Sequence, residues 1–131
     1  MATVLYSSLL GFVLIILSIR VISLRGNPAF SWFSFGYAGE DALSRSIRAH
    51  GNFIEYTPFF LLLMFVAEQG GHSSFALHYY GGTFLLGRLL HGVCFGFMKE
   101  SFLLRVSGTV LTLFPILGLC SILMVDYFRL H

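Results

Sequence analysis

The 131 residues allow one domain of modest size. Hydrophobic residues make up 56% of the chain and charged residues only 11%, and the mean hydropathy is +0.83, which excludes an ordinary soluble domain and points to an integral membrane protein. The net charge of +2 is spread along the chain rather than gathered in a patch, so there is no footprint for nucleic acid.

The first segment, residues 2–24, carries no charge before Arg20 and is long enough to span the hydrocarbon core with some tilt. No basic stretch precedes it and no small-x-small site ends it. A retained transmembrane helix is therefore expected rather than a cleaved secretory signal. Arg20 and Arg25 sit at its exit, where long side chains reach interfacial phosphates. Gly26-Asn27-Pro28 breaks the helix, and the stretch to Gly39 is expected to be an interfacial loop with Trp32, Phe33, Phe35 and Tyr37 at headgroup level.

Glu40 and Asp41 suit the dipole at the start of a second helix, expected over residues 41–68. Within it Arg45, Arg48, Asn52 and Glu55 follow at spacings of three, four and three, which places them on one face. At ~1.5 Å per residue this stripe is about 15 Å long, from a water interface to the middle of a bilayer. His50 lies off the stripe. Pro58 deletes the hydrogen bond to the Ile54 carbonyl and predicts a kink. The short turn Gln69-Gly70-Gly71-His72 leads into an antiparallel third helix, residues 73–98. That helix carries Arg88 and His91 three apart, with glycines that permit close helix approach. Lys99-Glu100-Ser101 makes the next turn, and a fourth helix over residues 102–128 contains Pro115.

The expected fold is all-α, an integral membrane four-helix bundle made of a single domain, residues 1–131. Arg20, Arg25, Arg45, Arg48, Lys99 and Arg105 fall at one face and Arg129 at the other, so both termini are expected outside the cytoplasm and the open end of the stripe inside.

Polar groups at membrane depth form a functional-site hypothesis. Arginine forks suit carboxylates or phosphates and a carboxylate suits an amine, so a ligand with acid groups and an ammonium would satisfy the set. The alternative is structural: Glu55 pairs with Arg88 or Arg48, and Asn52 bridges helices. Metal binding is not expected, because His50 and Glu55 lack the HExxH spacing and no Cys/His cluster occurs. Cys94 and Cys120 are isolated in apolar runs and read as small buried hydrophobes.

The pattern Arg45-x-x-Arg48-Ala49-His50-x-Asn52-x-x-Glu55, with Gly87-Arg88-x-x-His91, resembles the MAPEG family, membrane-associated proteins in eicosanoid and glutathione metabolism, and in particular its small bacterial members. The resemblance covers the whole chain. It implies a homotrimer in the bacterial inner membrane, with glutathione as co-substrate held between subunits and a lipophilic electrophile arriving from the surrounding membrane lipid. Arg45, Arg48, His50, Asn52, Glu55, Arg88 and His91 would be the binding residues, with Arg105 and Ser107 the candidates for stabilising a thiolate. Thiolate attack on that electrophile would be conjugation or peroxide reduction. Gly51 stands where several eicosanoid-forming relatives have arginine, and Phe95 where some have tyrosine. Two other functions compete: a non-catalytic lipid- or glutathione-binding scaffold, and a small exporter using Glu55 as a proton-coupled carboxylate.

Overall fold

In a computed structural model, which describes residues 1–130, every regular element is helical. The order is α1 (Ala2–Leu24), a short 3-10 helix (Pro28–Phe33), α2 (Glu40–Gln69), α3 (Ser74–Phe97) and α4 (Phe102–Leu130), with no strand among the described residues. By length and apolar composition α1 and α4 each qualify to cross a membrane. Helices α2 and α3 are of comparable length, but their polar residues interrupt the apolar run.

Helix α3 packs along α4 and against α2, while α1 packs on α2 and α3. Since α1 and α4 do not meet, α2 and α3 form the middle of the fold, where the polar residues of interest lie. The Phe60 and Phe84 rings, both fully buried, stack there at 3.9 Å. Close approach of α3 to α4 depends on two glycines. A Cβ on Gly87 would come within 2.8 Å of the Leu111 carbonyl carbon, and one on Gly108 within 2.9 Å of the His91 nitrogen. These contacts bring the α3 segment carrying Arg88 and His91 directly onto α4.

The helix ends follow from capping. Ser73 lies outside α3 as its cap, its hydroxyl accepting from the Ala76 N–H at 3.2 Å, so the helix begins one residue later than expected. At the far end of α2, Glu68 accepts from the backbone N–H groups of Ala2 at 2.5 Å and Thr3 at 3.1 Å. Its carboxylate thus satisfies donors that the first turn of α1 leaves unpaired, at the positive end of that helix dipole. Helix α2 runs on through Pro58 as one element.

Two expectations about the first loop need correction. Arg20 does not reach into the interface: it is fully buried. Its guanidinium donates to the carbonyls of Gly96 at 2.8 Å, Phe33 at 2.6 Å, Phe35 at 2.9 Å and Tyr37 at 2.8 Å, and lies 4.8 Å from the Phe97 ring centroid. A fork of donors on a short loop full of free carbonyls is better satisfied inward than in water. The aromatic stretch is also not wholly irregular. Asn27 caps Ala29 at 2.9 Å and Pro28 opens the 3-10 turn, which is the usual chemistry of a helix start. Trp32 and Phe35 stay exposed. Beyond the turn, Tyr37 donates to Asp41, and this hydrogen bond holds the Tyr37 phenol above its ordinary pKa.

Candidate functional site

The stripe on α2 splits by depth into contacts of different kinds. At its open end Arg45 donates to the carbonyls of Cys94 at 2.9 Å and Met98 at 3.3 Å and lies 4.8 Å from the Phe95 ring centroid. It therefore ties α2 to the end of α3, whose last carbonyls have no helical partner. Arg48, one turn deeper, is exposed, with its guanidinium 6.0 Å from the same ring. Asn52 is half-buried, and Glu55 is exposed with no ion pair or hydrogen bond among the described residues.

Beneath Asn52 lies Arg88, 2% exposed. Its Nη1 donates to the Asn52 side-chain oxygen at 2.7 Å, and Nε and Nη2 donate to the Thr112 hydroxyl at 3.0 and 2.7 Å. The Thr112 proton goes to the Gly108 carbonyl at 2.7 Å, leaving the oxygen free to accept twice. No carboxylate lies within ion-pair distance of Arg88: the ion pair among the described residues is His72 with Asp126, at 2.6 Å. The structural alternative, Glu55 pairing with Arg88 or Arg48, is thus not found within this chain. Amide and hydroxyl oxygens hold the buried cation instead.

A small cavity of ≈ 30 Å³ opens beside this knot, lined by Asn52, Tyr56, Arg88, Thr109, Thr112 and Leu113. The Arg88 guanidinium also lies 5.6 Å from the Tyr56 ring centroid. Tyr56, Thr109 and Thr112 were not singled out from sequence. The available signal was that Thr109 and Thr112 lie three apart on one face of α4, opposite an arginine that needs acceptors. His91, 8% exposed, is on the same α3 face, its ring stacked on Phe95 at 4.5 Å.

The remaining candidates fall elsewhere. His50 turns to α1, where its Nε2 meets the Ser18 hydroxyl at 3.0 Å, on the side of α2 away from the stripe. Arg105 is exposed on the first turn of α4, 5.7 Å from the Phe102 ring centroid. The Ser107 hydroxyl donates back to the Leu103 carbonyl at 2.6 Å, so its proton is directed into its own helix. The structure therefore joins Asn52 and Arg88 across α2 and α3, ties Arg45 to the end of α3 and sets Arg48 near Phe95, while Glu55, one turn on from Asn52 along α2, makes no hydrogen bond or ion pair; His91 packs against Phe95 and α4, His50 turns to α1, and Arg105 and Ser107 lie on α4. Among the described residues no cluster of three or more metal-ligating side chains occurs.

A long, apolar, all-helical chain whose middle helices carry an exposed acid and arginine over a buried, hydrogen-bonded arginine defines an integral membrane protein with a polar recess in its own helices. The chain belongs to the MAPEG family, which it matches over residues 3–125. It is 34% identical over 108 residues to the inner membrane protein YecN of Escherichia coli strain K12, a match covering 82% of this chain and 79% of the relative. YecN of Escherichia coli O6:H1 strain CFT073 gives the same figures.

Proposed function

We propose that this protein binds glutathione at the α2–α3 wall and acts as a glutathione transferase or peroxidase on lipophilic electrophiles. The observation that carries the reading is the unmatched pair on the open face: Glu55 with no partner and Arg48 with only an aromatic ring beside it. Free ionic groups cannot face hydrocarbon, so this face requires a ligand, another subunit or water. Glutathione supplies two carboxylates and an ammonium. Arg48 would take a carboxylate, Glu55 the ammonium, and Asn52 a peptide group, with Arg88 holding Asn52 in place. The tripeptide thiol would then lie toward α4, where Arg105 favours the thiolate by charge.

In this proposal the four helices cross the membrane as a bundle, three copies assemble around an axis, and each open face is covered by its neighbour. Such a contact is head-to-tail and closes as a ring. Both termini lie outside the cytoplasm, and the stripe opens toward it at Arg45.

Titration of the detergent-purified protein with glutathione, followed by calorimetry and by thiolate difference absorbance, tests the reading. Saturable binding that is lost in Glu55→Gln is expected, together with turnover of at least one member of a panel of lipophilic electrophiles. Absence of binding at millimolar glutathione sinks it.

One observation favours a second reading, a binding protein without turnover. Neither candidate position offers a hydroxyl proton to a thiolate: Ser107 donates to the Leu103 carbonyl, and position 95 is phenylalanine. That reading predicts glutathione binding with no thiolate absorbance and no turnover, and an affinity unchanged in Arg105→Ala.

A further inference from the structure

Helix α4 carries no charged residue over the twenty positions from Val106 to Val125. At ~1.5 Å per residue that run is about 30 Å long, the thickness of a hydrocarbon core, so Asp126 marks the level at which α4 passes from hydrocarbon to headgroups. The turn after α2 reaches the same level, where His72 Nε2 meets Asp126 Oδ2 at 2.6 Å. Beside this contact a cavity of ≈ 260 Å³ opens outward, lined by His72, Ser121, Ile122, Val125, Asp126 and Arg129. It lies at the opposite end of α2 from Arg45 and shares no residue with the glutathione site proposed above.

The charges of this recess are not spent on each other. Asp126 and Arg129 stand three apart on α4, a spacing at which opposite charges pair on a helix surface. Asp126 instead turns to His72, and Arg129 is exposed with no hydrogen bond or ion pair among the described residues. A neutral imidazole donates to a carboxylate without cancelling its charge, and the contact with His72 uses one of the two carboxylate oxygens. The Ser121 hydroxyl donates to the Leu117 carbonyl at 2.8 Å, which leaves its oxygen as an acceptor. Ile122 and Val125 form the wall on the hydrocarbon side. An anion receptor and a cation receptor thus stand side by side at headgroup level, above an apolar wall.

We propose that this recess binds phosphatidylethanolamine, with Arg129 holding the phosphate, Asp126 the ammonium, and an acyl chain lying on Ile122 and Val125. Charge and donor chemistry select the occupant. Phosphatidylglycerol brings no cation to Asp126, and choline brings a cation without N–H donors, whereas the ethanolamine ammonium can donate directly to the carboxylate.

Native mass spectrometry at pH 8 of the full-length protein, released from micelles doped with equal phosphatidylethanolamine, phosphatidylcholine and phosphatidylglycerol, tests the site. Phosphatidylethanolamine is expected to be retained about fivefold over either competitor, the upper range for an exposed ion pair. On the unaltered protein, retention should fall stepwise as the ethanolamine nitrogen is methylated. Asp126→Asn should bring phosphatidylethanolamine and phosphatidylcholine to parity. His72→Gln, which breaks the ion pair but keeps the carboxylate, should leave the preference in place, and Arg129→Gln should lower retention of all three lipids. A photoreactive side chain at Val125 should cross-link to lipid. Equal retention of phosphatidylethanolamine and phosphatidylcholine, tighter retention of phosphatidylglycerol, or a preference that survives Asp126→Asn would each overturn the proposal. So would displacement by soluble phosphoethanolamine alone, or a cross-link from Val125 to a second copy of the chain in place of lipid.

Discussion

Replacing Thr112 with valine keeps the side-chain shape and removes one hydroxyl, so its effect measures how the buried Arg88 is held. That hydroxyl accepts from Arg88 Nε at 3.0 Å and from Nη2 at 2.7 Å, and the guanidinium is 2% exposed. Hydrogen bonds between side chains of membrane helices average only about 0.6 kcal/mol, because a chain unfolded within the membrane finds other partners. A bond to a charged group is worth more, about 1.5–3 kcal/mol. With no carboxylate within ion-pair distance, Arg88 has the Asn52 oxygens as its other acceptors. The charged figure should therefore apply, and Thr112→Val is expected to cost about 2–3 kcal/mol. Thr112→Ser keeps the acceptor and loses one methyl, at about 1 kcal/mol. Unfolding in mixed micelles titrated with dodecyl sulfate and followed by far-ultraviolet circular dichroism measures both. A cost for valine at or below about 0.6 kcal/mol, or equal costs for valine and serine, refutes the reasoning.

Glycine substitutions should have opposite signs at two sites. Gly108→Ala forces a Cβ to within 2.9 Å of the His91 nitrogen and 3.1 Å of the Gly87 carbonyl, and is expected to destabilise by about 1–3 kcal/mol in the same unfolding assay. Gly51→Ala meets nothing within 4 Å in the middle of α2 and should stabilise by about 0.5–1 kcal/mol. Arg20→Met removes the donors that gather the carbonyls of Phe33, Phe35 and Tyr37, so limited proteolysis should cut the first loop at least several-fold faster, with α1 and α2 still helical by circular dichroism. Arg48→Ala and Glu55→Gln should each abolish glutathione binding while leaving the unfolding midpoint near that of the wild type, since both side chains are exposed. A large loss of stability in either would mean that they serve packing.

What was legible in the sequence was periodic. Arg45, Arg48, Asn52 and Glu55 share a face because the 3.6-residue repeat dictates it, whatever they contact. Partner choice was not legible, because it depends on which acceptors other helices bring. Arg88 could be paired on paper with Glu55, its nearest opposite charge in type, yet a threonine 24 positions later and an asparagine 36 positions earlier hold it. Arg20 read as a residue at a helix exit, and only the folded loop presents the carbonyls that draw it inward. The 3-10 turn after Asn27-Pro28 was written in its capping residues but is too short for a periodic signal.

The same repeat explains how one short segment of α2 serves two walls. Successive residues turn by about 100°, so Arg48, Asn52 and Glu55 face α3 and the open side while Ile47 and His50 turn to α1. Gly51, between the two sets, adds no side chain to either. Substitutions at 48 and 55 should therefore alter glutathione binding and leave the α1–α2 contact intact, whereas His50→Ala removes the hydrogen bond to Ser18 and should cost about 0.6 kcal/mol in the same unfolding assay. If His50→Ala instead left the unfolding midpoint unchanged, the Ser18 contact would not hold the two helices together, and the reading of His50 as a tie between α1 and α2 would fail.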